Sequence, residues 1–188
     1  FSYDELIARA RQTAFLVPGL TLVVRDERGV PDIYADTLGD LMRAQGYVHA
    51  QDRFFEMDLR RHITAGRLSE MVGEPGLETD KVIRTMGWRR VAEAELPMLR
   101  PSTRQALQAY ADGVNAWIEH RGAPADMALE YTILGQQNKD YRVEQWSPVD
   151  SLSWLKAMAW DLRGNYTEEL TRARLDDVVS EAMLADLY

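Results

Sequence analysis

GYVHAQDRFFEMDLRRHITAGRLSEMVG, residues 46–73, decides how the rest of the chain is read. It holds His49 and His62 together with Asp52, Arg53, Glu56, Asp58, Arg60 and Arg61, as dense a set of ionisable groups as an active-site helix carries. Upstream and within it, Leu41, Ala44, Tyr47, Val48, Phe54, Phe55, Met57 and Leu59 recur at helical spacing. The spacing predicts one long helix, capped by Thr37 with Asp40 three positions on, running to about Thr64 before Gly66. On such a helix Glu56 and Arg60 stand at i, i+4, as do Asp58 and His62, the pattern of a salt-bridged face. His49, between Val48 and Ala50, reads as a hydrogen-bonded packing residue rather than a ligand. Charges lying beside Tyr47, Phe54 and Phe55 suggest burial of polar side chains against a large partner surface.

Outward from this stretch the chain is mainly helical. Residues 3–16 carry apolar groups at helical spacing, and residues 20–35 read as a β-hairpin around the turn signal Asp26-Glu27-Arg28-Gly29. A short helix is expected over 67–72, with longer ones at 78–98, 102–120, 148–162 and from about 167 to the end. Residues 122–124 and 136–141 read as loops. The 188 residues, 46% hydrophobic and 28% charged, suffice for one domain with a sizeable core, so a single domain over 1–188 is expected.

Composition narrows the chemistry. A formal net charge of -8 argues against nucleic acid as a partner, since phosphate binding needs a basic face. No apolar run approaches the ~18 residues of a membrane span. The absence of cysteine removes disulfides, thiol nucleophiles and thiolate zinc sites, and leaves the compartment open. A first residue Phe1 suggests a trimmed or processed N-terminus, a removed signal peptide being one explanation. The apolar set Leu170, Ala173, Leu175, Val178, Val179, Met183 and Leu187 runs almost to the last residue, as in a processed subunit. No serine lies in a Gly-x-Ser-x-Gly elbow, the three histidines lack zinc-site spacing, and Gly113, Gly122 and Gly164 form no phosphate loop. By its own residues the chain is a poor candidate for a complete enzyme.

Several blocks, in order, resemble the penicillin acylase family. They are Gly29-Val30-Pro31-Asp32-Ile33-Tyr34-Ala35, then Gly46-Tyr47-Val48-His49-Ala50-Gln51-Asp52-Arg53, then Arg60-Arg61 with Gly66-Arg67-Leu68-Ser69-Glu70. Tyr110-Ala111-Asp112-Gly113-Val114-Asn115-Ala116-Trp117 follows, and Trp146-Ser147-Pro148-Val149-Asp150 precedes a helix containing Met158-Ala159. The resemblance implies the α chain of an αββα N-terminal-nucleophile hydrolase heterodimer: mainly α, with a short β-hairpin near the N-terminus. Such enzymes are cut from one precursor into this chain and a larger β chain, and are secreted or periplasmic. The nucleophile is then the N-terminal serine of the β chain. Its free α-amino group, with a reference pKa near about 7.7–8.0, activates the neighbouring hydroxyl.

The same resemblance assigns site residues here. Met158 matches the family's pocket methionine, and its flexible thioether suits an apolar acyl group. Leu162 stands one turn on, near the place of a phenylalanine in phenylacetyl-cleaving members, so a differently shaped or aliphatic acyl group is expected. The alternative is that Trp154, Leu155, Met158, Trp160 and Leu162 form only core. Glu169 matches a glutamate that ligates a structural calcium between the chains, with Glu168 as the alternative register. As bare sequence features, both are acids at a helix N-terminus, favourable toward its dipole. The implied reaction is hydrolysis of a small-molecule N-acyl amide, either a penicillin-type compound or a fatty-acyl amide such as an acyl homoserine lactone or lipopeptide. A non-catalytic helical interaction module is the reading from another class.

Overall fold

A computed structural model describes residues 2, 4–5, 7–8, 21–176 and 178–187. The expected helix over 3–16 falls mostly outside the described residues. The hairpin forms as read: strand β1 (Leu22–Arg25) pairs antiparallel with β2 (Pro31–Tyr34), Leu22 opposite Tyr34 and Arg25 opposite Pro31. Its turn is closed by the Asp26 carboxylate, which accepts the backbone N–H groups of Arg28 (2.9 Å) and Val30 (2.8 Å), with Gly29 at φ 80°. Arg25 ties the hairpin to the next element through Asp52 (2.8 and 3.1 Å) and Gln51 (3.2 Å).

That element is helix α1 (Leu38–Ala65), capped at its start by the Thr37 hydroxyl, which accepts the Asp40 N–H at 3.1 Å. It ends at Gly66 in the left-handed conformation (φ 65°). One feature departs from the sequence reading: Arg53 has non-helical angles (φ -147°, ψ 29°), so α1 is kinked there. Next come α2 (Ser69–Val72), a 3₁₀ turn (Glu74–Gly76), α3 (Leu77–Met86) and α4 (Trp88–Glu95). The single helix expected over 78–98 is broken because Gly87, at φ 71°, ends α3 in the left-handed region and redirects the chain. A second 3₁₀ turn (Leu96–Met98) carries Pro97 and leads to α5 (Pro101–Arg121).

Helices α6 (Pro124–Met127) and α7 (Leu129–Gln137) follow, so the expected loop over 136–141 begins only at Asn138. Helix α7 escaped notice because its apolar residues face both ways, Tyr131 buried but Leu129 and Ile133 exposed. Helix α8 (Pro148–Leu162) has the predicted bounds. The expected terminal helix is two, α9 (Tyr166–Asp176) and α10 (Glu181–Leu187), separated by a turn around Val178.

The core lies where α1 crosses α5. Two glycines allow the crossing: a Cβ on Gly113 would collide with the Arg43 carbonyl, and one on Gly46 with the Tyr110 carbonyl. Gly113 is therefore a close-approach residue between helix backbones. Ala50 and Phe54 of α1 pack with Ala111, Val114 and Trp117 of α5, and Met127, Tyr131 and Trp146 close the cluster. Asn115 holds the backbone of Trp146 from both sides, accepting its N–H (2.7 Å) and donating to its carbonyl (3.0 Å).

The charged stretch divides into two parts. Glu56 and Arg60 pair on the exposed face as expected (2.6 Å). Asp58, Arg61 and His62 are fully buried. The expectation that these charges are buried against a partner chain is corrected, because this chain supplies their partners. Asp58 accepts from Arg61 Nε (2.7 Å), Tyr131 (2.6 Å) and Tyr141. Arg61 also donates to the carbonyls of Glu144 (2.9 Å) and Gln145 (3.0 Å). His62 Nδ1 lies 2.8 Å from the Asp58 carbonyl; a carbonyl only accepts, so that nitrogen carries the proton. His49 makes the expected hydrogen bond, to the Tyr110 hydroxyl (3.0 Å), but its side chain is exposed rather than packed inside; desolvation lowers its pKa.

Burial alone would raise the Asp58 carboxyl, but His62 with Nδ1 3.4 Å from it, the charge of Arg61 and the two tyrosine hydroxyls hold it at about 2. The same arrangement pushes both tyrosines well above their ordinary values, chiefly by burial. A folded-state pKa below the unfolded one stabilises the fold above pH ~4, and that contribution disappears as pH falls toward 2. It amounts to roughly 2 kcal/mol. In acid titrations of unfolding free energy, Asp58→Asn is expected to flatten the slope between pH ~4 and ~2. At pH 7 it is expected to cost about 3–5 kcal/mol, because the buried Arg61 charge loses its partner. An unchanged acid limb would show that Asp58 is not the group responsible.

Candidate functional site

Helix α8 carries two of the three residues singled out from sequence, and its placement is fixed at three levels. At its start, the buried Asp150 carboxylate accepts the Ser147 N–H and hydroxyl (both 2.7 Å) and Arg89 of α4 (2.6 Å). Midway, Lys156 pairs with Glu95 of α4, and Trp154 lies under the Arg60 guanidinium, 4.5 Å from its ring centroid. Near its end, Trp160 packs against Trp88 with centroids 6.1 Å apart. Arg61 contributes indirectly, since the carbonyls it holds belong to the two residues before Trp146.

With that side of α8 committed, the other side faces outward. Leu155, Met158 and Leu162 stand at i, i+3 and i+7 and are 59%, 37% and 77% exposed. None of the three belongs to the core formed by the described residues. Trp154 and Trp160 are half-buried and pack as just described. The alternative that all five residues are simply core therefore fails for the three aliphatic ones. Leu155 was not picked out as a site residue, yet its helical spacing from Met158 and Leu162 was visible in the sequence.

A separate cleft of about 370 Å³ runs between α1, α5 and α8, lined by Met42, Met57, Leu107, Tyr110 and Trp154 among others. Met158 and Leu162 do not line it. Its α8 lining is Asp150, Ser151 and Trp154, with Ser151 one turn before Leu155.

Glu169 sits in the first turn of α9, its N–H bonded to the Asn165 carbonyl (2.9 Å), with Glu168 beside it. Both carboxylates are exposed. Among the described residues no three of His, Asp and Glu are grouped to hold a metal. The donor set available is thus one or two hard carboxylates at an open edge. It suits one arm of a six- to eight-oxygen calcium site and cannot complete one alone. The structure brings Met158 and Leu162 onto one face and places Glu169 on the next helix, across the connection 163–165.

The penicillin amidase family model matches residues 21–188, and the chain belongs to that family. It is 36% identical over 145 residues to penicillin acylase 2 proenzyme of Pseudomonas sp. (strain SE83), covering 76% of this chain and 18% of that protein. It is 36% identical over 150 residues to penicillin G acylase of Escherichia coli, covering 79% and 17%. Against the acyl-homoserine lactone acylase QuiP of Pseudomonas aeruginosa the identity is 35% over 163 residues, covering 86% and 18%. The chain thus spans under a fifth of the length of the curated relatives it matches. Among solved structures, a chain of thermostable penicillin G acylase from Alcaligenes faecalis superposes with a TM-score of 0.69 at 26% identity, covering 89% of this chain and 88% of that one.

Proposed function

We propose that this chain is the smaller, α chain of an amide hydrolase that removes an apolar acyl group from an amine, working with a larger β chain cut from the same precursor. The family membership supports the reaction class, and the name of one relative as a proenzyme supports processing. The observation that carries the reading is the exposed Leu155–Met158–Leu162 row on a helix whose opposite side is locked by Arg89, Glu95 and Trp88. A rigid aliphatic wall left open among the described residues is what one half of an acyl pocket requires. The nucleophile would be the β chain's N-terminal serine, with its own amine as base. This chain's part is to bind and orient the acyl group and exclude water from it.

The acyl group is the open specificity. Penicillin acylases and an acyl-homoserine lactone acylase match at nearly equal identity. Three aliphatic side chains over two turns favour a flexible aliphatic acyl group over a flat aromatic one, which is the second reading: a fatty-acyl amide. The enzyme would act in the periplasm or outside the cell. No helix among the described residues is long and apolar enough to cross a membrane. Calcium would be held between the chains, with Glu169 as this chain's ligand, and would supply structural cohesion rather than chemistry.

Two measurements test these assignments in the full-length protein. Across a panel of chromogenic acyl amides, Leu162→Phe should disfavour long aliphatic groups relative to short aromatic ones. The ratio of kcat/KM should move roughly 10–200-fold, the scale of about 1–3 kcal/mol for one methylene in an apolar pocket. An unchanged ratio removes Leu162 from the pocket. Glu169→Gln should lower bound calcium measured by atomic emission and loosen the two chains. Loss in Glu168→Gln with retention in Glu169→Gln would move the ligand by one residue.

A further inference from the structure

The start of α9 is tied to α8 by a stack that neither the resemblance nor the family match assigns. Helix α8 ends at Leu162 and α9 begins at Tyr166, so only Arg163, Gly164 and Asn165 connect them. Gly164 has open space where a Cβ would stand, and a glycine in open space leaves the direction of the connection free. No residue of α9 is buried, so hydrophobic burial does not orient that helix within this chain. What spans the junction is aromatic and cationic. Trp160 and Tyr166 meet with ring centroids 5.1 Å apart. The Arg163 guanidinium lies over both rings, 4.2 Å from the Tyr166 centroid, and its Nε donates to the Trp160 carbonyl at 3.2 Å. Trp160 in turn rests on Trp88 of α4, so the stack is anchored to the body of the fold. A planar guanidinium holds two rings at once in a way an ammonium does not.

From this geometry we propose that the Trp160–Arg163–Tyr166 stack is a positioning clasp: it sets the angle between α8 and α9 and thereby couples the acyl wall at Met158 and Leu162 to the carboxylate at Glu169. Arg163 is a positioning residue in this scheme; it acts through Leu162, its chain neighbour, and through Tyr166, three residues before Glu169. The coupling rests on the acyl-hydrolase reading above, whereas the clasp itself does not.

The test uses the full-length protein with cysteines introduced at Ala159 and Ala173, both exposed, this chain having none of its own. Spin labels at those positions report the α8–α9 distance by double electron–electron resonance. The distribution should be narrow in the parent and in Tyr166→Phe, which keeps the ring. It should broaden in Arg163→Ala and in Arg163→Lys, with no general loss of melting temperature. Calcium titration and the aliphatic-to-aromatic ratio of kcat/KM are read on the same variants. In Arg163→Ala calcium binding should weaken about tenfold and the ratio shift at least about threefold, the two moving together. An unchanged distance distribution in Arg163→Ala overturns the clasp. A broadened distribution with calcium affinity and ratio both unmoved overturns the coupling. A parent protein that neither binds calcium nor cleaves any acyl amide refutes the functional reading and the coupling with it, while the distance measurement still decides the clasp.

Discussion

A carboxylate taken wholly out of water governs this fold. Asp58 is placed in the middle of α1 where no solvent reaches it, so its charge must be met by donors from the chain itself. Arg61, Tyr131 and Tyr141 meet it, and between them they draw in two further parts of the chain. Tyr131 brings α7 against α1. Tyr141 and the carbonyls held by Arg61 bring in the irregular segment that leads to Trp146 and the cap of α8. The cost of desolvating these groups is offset only when every one is in place, so the network specifies a single arrangement. No buried side-chain polar atom among the described residues lacks a partner.

From that constraint the outward face of α8 follows by geometry. Once the segment before Trp146 is fixed by Arg61 and Asn115, the Ser147 and Asp150 cap starts α8 at a set place, and Arg89 receives the same carboxylate from α4. Fifteen residues of α8 then run with one side packed and one side open. The ionisable cluster that looked like an active site is therefore a scaffold, and the residues that look unremarkable in sequence, three aliphatic side chains, are the ones left facing outward. This division suits a chain that lends a wall to a pocket and takes its nucleophile from elsewhere.

Features decided within a few residues were legible before any coordinates. The Thr37 and Asp40 cap and the Asp26–Gly29 turn have their partners close by in sequence, so residue type and spacing suffice. What stayed hidden depends on distant partners. Asp58 meets Tyr131 and Tyr141 across 73 and 83 positions, whereas helical spacing showed only its neighbour His62, 3.4 Å away. Gly113 looked isolated because the reason for it is the Arg43 carbonyl on another helix. Gly87 broke a helix that apolar periodicity carried straight through. Met158, Leu162 and Glu169 came from family resemblance, since no periodicity separates an outward aliphatic residue from a buried one until the neighbouring helices are placed.

The central claim is that the Leu155–Met158–Leu162 face contacts the acyl group, and a covalent footprint addresses it most directly. A substrate amide carrying a diazirine at the far end of its acyl chain would be irradiated with the full-length protein and the adducts mapped by peptide mass spectrometry. The account predicts adducts at Leu155, Met158 or Leu162, suppressed by excess unlabelled substrate. Competable adducts elsewhere in the protein, with none on α8, would contradict it.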